Sequence, residues 1–439
     1  MADLLKLSQS IIDGTTGISS DGVSGVRDLP VNRITGELSE VADGIAMIEA
    51  FSHVVLFRTD DGLVLFDTSL ETFGPQIVKA MRGWTPDPVR AITYTHGHAD
   101  HVGGAGAILA EAEEKGRARP QVIGHENVKP RFDRYNLTSG YNMAINARQF
   151  GGAGRSRIQL GSAGHFGPAT WVEPDTQFSD RMGFASGGTR FDMRHAKGET
   201  DDHLWAWLPE HKAVVVGDFL IWVFPNAGNP QKVQRYPLDW ANALRAMAAL
   251  EPELLLPAHG LPIAGRDRIA LVLDDVAGAL ESLLKQTLEL MNTGARLDTI
   301  LKSVSLPKET LEKPYLRPVY DEPEFVVRNI WRQYGGWYDG NPANLKPPGD
   351  AAIAMETARL AGGAETLAKR ALELAHGGDL RLACHLAEMA SLAEPDSRSV
   401  HGMRAEVYET RMNAELSLMA RGIYGDAART SRALSGKND

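Results

Sequence analysis

Residues 89–104 read VRAITYTHGHADHVGG, and the fold turns on how this stretch is understood. Val89–Tyr94 is an apolar, β-branched run of the length and composition of a buried strand. Directly after it, His96, His98, Asp100 and His101 crowd into six residues, and Gly103 and Gly104 close the segment. Alternate residues of an extended chain point to the same side, so His96 and His98 can grip one cation. If the backbone then turns, Asp100 and His101 face a neighbouring position. Imidazole and carboxylate together suit a borderline cation such as Zn²⁺. The glycine pair lets the backbone approach the site and start a following helix. The plain alternative is a polar loop with incidental histidines, which the density of ligand side chains argues against.

Around this stretch lies a chain of 439 residues, 43% hydrophobic and 23% charged. That length exceeds what one core usually serves, so two domains are expected. The net charge of −10 excludes a typical nucleic-acid binder, whose affinity comes from neutralising phosphates. MADLLKLSQSIIDG lacks a basic stretch followed by a continuous apolar one, so no secretory leader is read there. No run is long enough for a membrane span. The single cysteine, Cys384 in LRLACHLAEMA, allows neither an internal disulfide nor a multi-thiolate metal site. A cytoplasmic protein is expected.

From about 45 to 260, short β-runs alternate with helical stretches, the pattern of an α/β layered domain. DDG at 60–62 reads as a hairpin turn, and HLWAWLPEHKAVVVGDF as a second hairpin turning at Pro209 and Glu210. AGAILAEAEEKG (105–116) reads as a helix ending at Gly116. Beyond 265, DRIALVLDDVAGALESLLKQTLELMN is one long helical pattern. YGGWYDGNPANLKPPGD (334–350) reads as an ordered joint. An Ala/Leu-rich remainder, with turns at HGGD and EPDS, reads as paired helices, tetratricopeptide-like or a plain bundle. The expected bounds are 1–310 for a catalytic domain, 311–350 for the joint and 351–439 for an all-α domain.

One segment cannot complete a metal shell. Glu199 in KGETDDHLWAW, Asp218 ending VVVGD and His259 ending LLLPAH all lie where a strand gives way to a loop. Sites on α/β sheets gather at such edges. His203, His195 and Asp202 are weaker ligand candidates, and His53, His165 and His211 read as surface or packing residues.

HGHADH, with His96, His98, Asp100 and His101, matches the signature of the metallo-β-lactamase superfamily residue by residue. FDTS around Asp67 resembles that superfamily's first motif, GD at Asp218 its fourth and PAHG at His259 its fifth. Where many members carry His-Thr-Pro-Gly, this chain has Glu199-Thr-Asp-Asp, which is similar to the alkyl sulfatase branch. GGWYDGNPANL resembles the segment opening the alkyl sulfatase dimerisation domain. The resemblance implies an αββα sandwich followed by an all-α domain that makes a homodimer. Two departures stand out. The branch usually has a bridging glutamate where Asp218 stands, and its terminal lipid-binding-like domain is not found in this sequence.

The resemblance implies two Zn²⁺ per chain, one on His96, His98 and Glu199 and the other on Asp100, His101 and His259. Asp218 would bridge them, with Asp100 and Asp218 as catalytic carboxylates. Two such ions, three carboxylates and one bridging hydroxide sum to zero charge, which does not repel a sulfate ester. The carboxylate content also admits Mn²⁺ or Fe²⁺. The expected reaction is hydrolysis of an alkyl sulfate or related small-molecule ester. The alternative on the same fold is a lactone, carboxylic ester or phosphoester, and an iron oxygenase or redox protein is a third reading. For the substrate, the loop FLIWVFPNAGNPQKVQRYPLDW offers Asn226, Lys232 and Arg235, and arginine can hold an oxyanion through two parallel hydrogen bonds. Trp222 and Phe224 could line an apolar slot or be core. SGYNMAINARQFGG (139–152) reads as a covering loop, with Tyr141 and Asn142 as further candidates.

Overall fold

The computed structural model describes residues 3–16, 30–151, 161–162 and 164–436. The chain divides into two compact units. The first comprises residues 1–143, 158–294 and 300–335; the second comprises 144–157, 295–299 and 336–439.

The first unit is built on two facing sheets. In chain order the strands are β1 (Leu38–Ala42), β2 (Ile45–Ile48), β3 (Val54–Thr59), β4 (Gly62–Phe66), β5 (Val89–Thr93), β6 (Gln121–His125), β7 (Gly161–Ser162), β8 (His165–Phe166) and β9 (Thr176–Phe178). There follow β10 (Arg181–Ser186), β11 (Thr189–His195), β12 (Leu204–Leu208), β13 (Ala213–Gly217), β14 (Leu254–Pro257) and β15 (Ile263–Ala264). One sheet has the order β1-β2-β3-β4-β5-β6-β9, the other β10-β11-β12-β13-β14-β15, and β7 pairs only with β8. Thr59 opposes Gly62 and Leu208 opposes Ala213, so both hairpins expected from sequence form at their expected turns.

The sheets stack through aromatic contact. Phe57 and Phe66 meet Phe191 with ring centroids 5.5 and 6.0 Å apart. β4 is buried throughout and β5 everywhere but Arg90, since helices cover one face of this sheet and the second sheet covers the other. The helices Gly74–Trp84 and Ala105–Glu114 bury Ile77, Met81 and Ile108 against the first sheet. Pro237–Ala248 packs on the 27-residue helix Arg266–Asn292, which also contacts β14 and β15. This is the αββα sandwich.

Strand direction places the site. β4-β5-β6-β9 run parallel, as do β13 and β14, so their C-terminal ends open onto one edge. Asp67 follows β4, Thr95–His98 follow β5, Asp218 follows β13 and His259 follows β14.

The joint expected over 311–350 is not a single element. Residues up to 335 belong to the first unit, and the helix Pro323–Tyr334 buries Val326, Val327 and Ile330. Its hydrophobic stripe was masked in the sequence by the Pro, Gly and aromatic residues on either side. The second unit carries five successive helices, Asp350–Ala361, Ala364–His376, Leu380–Ala393, Arg398–Ala414 and Leu418–Leu434. Asp379, Ser397 and Ser417 cap three of them by accepting from backbone N–H groups. Alanines fill the contacts between these helices. No described helix is long and apolar enough to cross a membrane.

Candidate metal centre

After β5 the chain bends at Thr95 and His96, is extended again at His98 and then turns into the short helix Ala99–Val102. His96 and His98 meet across this bend rather than along one continuous extended stretch, with His96 Nε2 and His98 Nδ1 2.8 Å apart. The turn delivers Asp100 and His101 to the next position. Asp218 lies between the two groups, its Oδ2 3.9 Å from His96 Nε2 and 3.4 Å from His101 Nε2. His259 Nε2 is 3.5 Å from Asp100 Oδ2 and 3.6 Å from Asp218 Oδ1. Two sets of donors result, His96–His98–Asp218 and Asp100–His101–His259, each with ligand atoms within 4.8 Å of one another.

These residues fit a metal ion. Ligands about 2.0–2.1 Å from one tetrahedral Zn²⁺ lie roughly 3.3 Å apart, close to most of the separations seen. Buried His101 Nε2 and Asp218 Oδ1 have no hydrogen-bond partner among the described residues. Burial, followed by the neighbouring imidazoles, holds His96 well below the usual histidine range. Burial and the Arg235 charge do the same for His98, and a neutral ring is the form that ligates. Burial works against a charged His101, but Asp218, Asp67 and Asp100 outweigh it and hold this imidazole well above its ordinary value. Three carboxylates converging on one ring mark a place that wants positive charge.

Asp67 supports the second group. Its Oδ2 accepts from His101 Nδ1 at 2.8 Å, while its carboxylate also takes the Thr95 N–H and hydroxyl, each at 2.7 Å. The carboxylate thereby fixes the tautomer and leaves His101 Nε2 facing the site. The first group has its own support. Gly97 N donates to Asp202 Oδ2 at 2.8 Å, and Arg131 Nε donates to Asp202 Oδ1 at 2.9 Å.

Glu199 arrives on the turn between β11 and β12, with its Oε1 3.6 Å from His98 Nδ1. That oxygen also accepts from Asn226 Nδ2 at 2.5 Å and pairs with Arg235 Nη1 at 2.7 Å, a nitrogen that donates to the Glu199 main-chain oxygen at 2.6 Å. Asn226 and Arg235 thus reach the site by way of the glutamate, although Asn226 Oδ1 and Arg235 Nε remain buried without partners among the described residues. Burial raises the Glu199 carboxyl to about 7 against the pull of Arg235. Lys232 lies against the Phe166 ring, 5.9 Å from its centroid, and burial with the Arg235 charge brings its ammonium down to about 7.

Other candidates fall elsewhere. His203 accepts from Asp218 N at 3.2 Å and stacks on Phe219, so it braces a candidate ligand. His195 stacks on His125 and bonds Asp201 O. His53 is a packing residue that also steadies the loop beside His259, by accepting from Gly260 N. His211 sits at the β12–β13 turn near Thr189, and His165 in β8. Trp222 and Phe224 are fully buried and pack as core residues. Trp222 donates to Leu261 O at 2.7 Å and so holds the same loop from its other end. The segment expected as a covering loop is the helix Ser139–Phe150, with Gly152 outside the described residues. Asn142 donates its amide to Thr138 one turn earlier, while Tyr141 is 65% exposed. Scattered polar residues hid this helix because it lacks a continuous apolar stripe.

The segment before Pro323 carries no sequence signal of a site, yet it reaches this one. Asp321 accepts from Gly228 N at 2.6 Å and pins the Asn226-bearing loop, and Tyr320 lies within electrostatic reach of Glu199 and Arg235. Nothing in their local sequence sets them apart; only the return of the chain to the loop does.

The metallo-beta-lactamase superfamily profile matches residues 48–259, and the alkyl sulfatase dimerisation profile residues 296–433. Residues 48–259, which hold every candidate ligand, are thus a metallo-β-lactamase superfamily region. That superfamily implies divalent-metal binding, and the two donor groups are where these side chains could hold such ions. A linear primary-alkylsulfatase of a Pseudomonas species is 26% identical over 84% of this chain and 72% of its own length. An alkyl/aryl-sulfatase of Saccharomyces cerevisiae is 24% identical over 87% of the chain, which spans 62% of that relative. An (R)-specific secondary-alkylsulfatase of Pseudomonas is 26% identical, with 60% of its length spanned. The solved structure of a stereoselective inverting sec-alkylsulfatase from Pseudomonas superposes with a TM-score of 0.79 at 24% identity, covering 92% of this chain and 66% of that one. This likeness establishes a shared fold.

Proposed function

We propose that the chain is a binuclear-metal hydrolase cleaving an alkyl sulfate or a related small ester. The observation that carries this reading is the convergence of six imidazoles and carboxylates in two adjoining groups at the C-terminal edge of parallel strands. His96, His98 and Glu199 would hold one cation and Asp100, His101 and His259 the other, with Asp218 between them. When bound, divalent cations supply water of lowered pKa and neutralise charge on ester oxygens. Zn²⁺ suits the nitrogen donors, and the carboxylates admit Mn²⁺ or Fe²⁺.

The chain's own groups do the rest. Asp67 holds the His101 ring in one tautomer. Arg235 and Asn226 bind the Glu199 carboxylate and present further donors beside it, while Lys232 adds a titratable ammonium. Such donors suit an anionic ester head group, of which sulfate is one. Names of the similar proteins favour the same bond. The second reading, a lactone, carboxylic ester or phosphoester, is favoured by Asp218, whose shorter side chain stands where the branch usually has glutamate.

Elemental analysis with a panel of short esters tests both. About two metals per chain and sulfate release from a short alkyl sulfate are expected. Under one metal, with no activity restored by Zn²⁺, overturns the hydrolase reading. Turnover of only carboxylic or phosphate esters selects the alternative.

We also propose that the second unit makes a homodimer. Its surface carries Ile353, Met355, Leu360, Leu382 and Leu418, all more than a third exposed. They are apolar side chains that such an association would cover, and the alkyl sulfatase dimerisation match over residues 296–433 favours it.

A further inference from the structure

Gly97 and the turn between β11 and β12 are tied by a buried contact that no ligand role explains. Asp202 is fully buried, yet it is a carboxylate. One oxygen takes the Gly97 N–H at 2.8 Å and the other takes Arg131 Nε at 2.9 Å. Arg131, also buried, reaches Asp201 with a second nitrogen. A buried ion pair is weak evidence for stability, since removing two charges from water costs about as much as their attraction returns. Its placement is informative. The turn that carries Asp202 also carries Glu199, and the amide it holds lies between His96 and His98.

We infer that Asp202, backed by Arg131, is a positioning residue that registers the His96–His98 loop against the Glu199 turn. The inference rests on the hydrolase reading for its consequence and on the local geometry for the contact itself. The two candidate groups lean on different carboxylates: Asp202 holds the backbone of the first, and Asp67 holds the His101 ring of the second while also lying behind His96 through Thr95. Gly97 completes the device. A Cβ there would lie 2.9 Å from Asp202 Oδ2 and 3.0 Å from Arg131 Cδ, so only glycine allows the carboxylate this close.

Asp202→Asn in the full-length chain separates a positioning role from a general structural one. Asparagine can accept on one side only, and the Arg131 cation takes its oxygen, so the contact to the Gly97 amide fails. In metal-free protein, the Gly97 amide is expected to exchange with solvent at least tenfold faster, roughly the loss of one protecting contact. In a Zn²⁺ competition titration followed by imidazole ¹⁵N shifts, binding reported by His96 and His98 is expected to weaken about 10–100-fold. Binding reported by His101 and His259 should stay within about twofold, whereas Asp67→Asn, which loosens the His101 ring directly, should weaken it. Arg131→Lys keeps the charge but loses the guanidinium fork, and should fall between wild type and Asp202→Asn; it also stands in if that variant does not fold. Unchanged Gly97 exchange, or equal weakening of both groups, overturns the inference. If the wild type binds no Zn²⁺, the hydrolase reading fails and the exchange of Gly97 alone decides the positioning contact.

Discussion

Gly97 stands between two imidazoles, and the space its missing side chain leaves is filled by the Asp202 carboxylate. Gly97→Ala forces that carboxylate or Arg131 to move, at a cost of about 1–3 kcal/mol in the range of other overpacked sites. Urea melts of the metal-free variant measure the cost, and metal content should fall with it. Asp321 makes a different prediction. Burial raises its carboxyl to about 8 despite two backbone N–H groups donating to it. A raised folded value means the protonated form is favoured on folding. Its contribution is present below the ordinary carboxylate range and is lost as pH rises through about 8. Thermal melts between pH 4 and 8.5 should show this decline, and Asp321→Asn should flatten it. Residue types alone made His96, His98, Asp100 and His101 legible, because four donors in six positions are rare outside metal sites. Asp321 was illegible, since an aspartate before a helix reads as ordinary.

At the scale of elements, the site depends on strands that stop on time and loops that are held. β14 delivers His259, and the following backbone turns at Gly260 with φ +93° under the Trp222 ring. Alanine at 260 would place its Cβ 2.3 Å from Trp222 Cδ1, so glycine is required by both conformation and space. Trp222→Phe keeps most of the packing but removes the indole N–H from Leu261 O. A buried carbonyl left unpaired costs about 1–3 kcal/mol, which chemical denaturation would read. Metal content should drop as the His259 loop loosens; a variant with lost stability but full metal content would place Trp222 in packing alone. Both hairpins and the 27-residue helix were legible because period and turn chemistry are local. The helix Ser139–Phe150 was not, since its residues are held by helical contacts such as Asn142 to Thr138 rather than by an apolar stripe.

At the scale of the whole chain, the two units differ in what fills them. The first is packed by aromatic residues between its sheets and by branched aliphatic ones between sheet and helices, the second by alanines between helices. Alanine contacts let helices approach closely but bury little area each, and large side chains such as Leu360, 82% exposed, remain outside. Under the dimer proposal, Leu360→Asp should shift sedimentation toward the monomer with helical circular dichroism unchanged. A wild type that sediments as a monomer at micromolar concentration would overturn the proposal.

Periodicity and ligand spacing in the sequence were enough for the layered α/β class, the helical C-terminal region and the main donor set, because strand alternation, turn residues and HGHADH are all local patterns. Which donors meet was decided by tertiary structure. Asp218 joins His96 and His98, Glu199 Oε1 comes to 3.6 Å from His98, and Arg235 and Asn226 turn toward Glu199. Asp67, Asp202 and Asp321 acquire their roles only when segments far apart in the chain come together. A carboxylate has the same local signature whether it meets water, a backbone amide or an imidazole; burial and partner, which the fold supplies, separate the three.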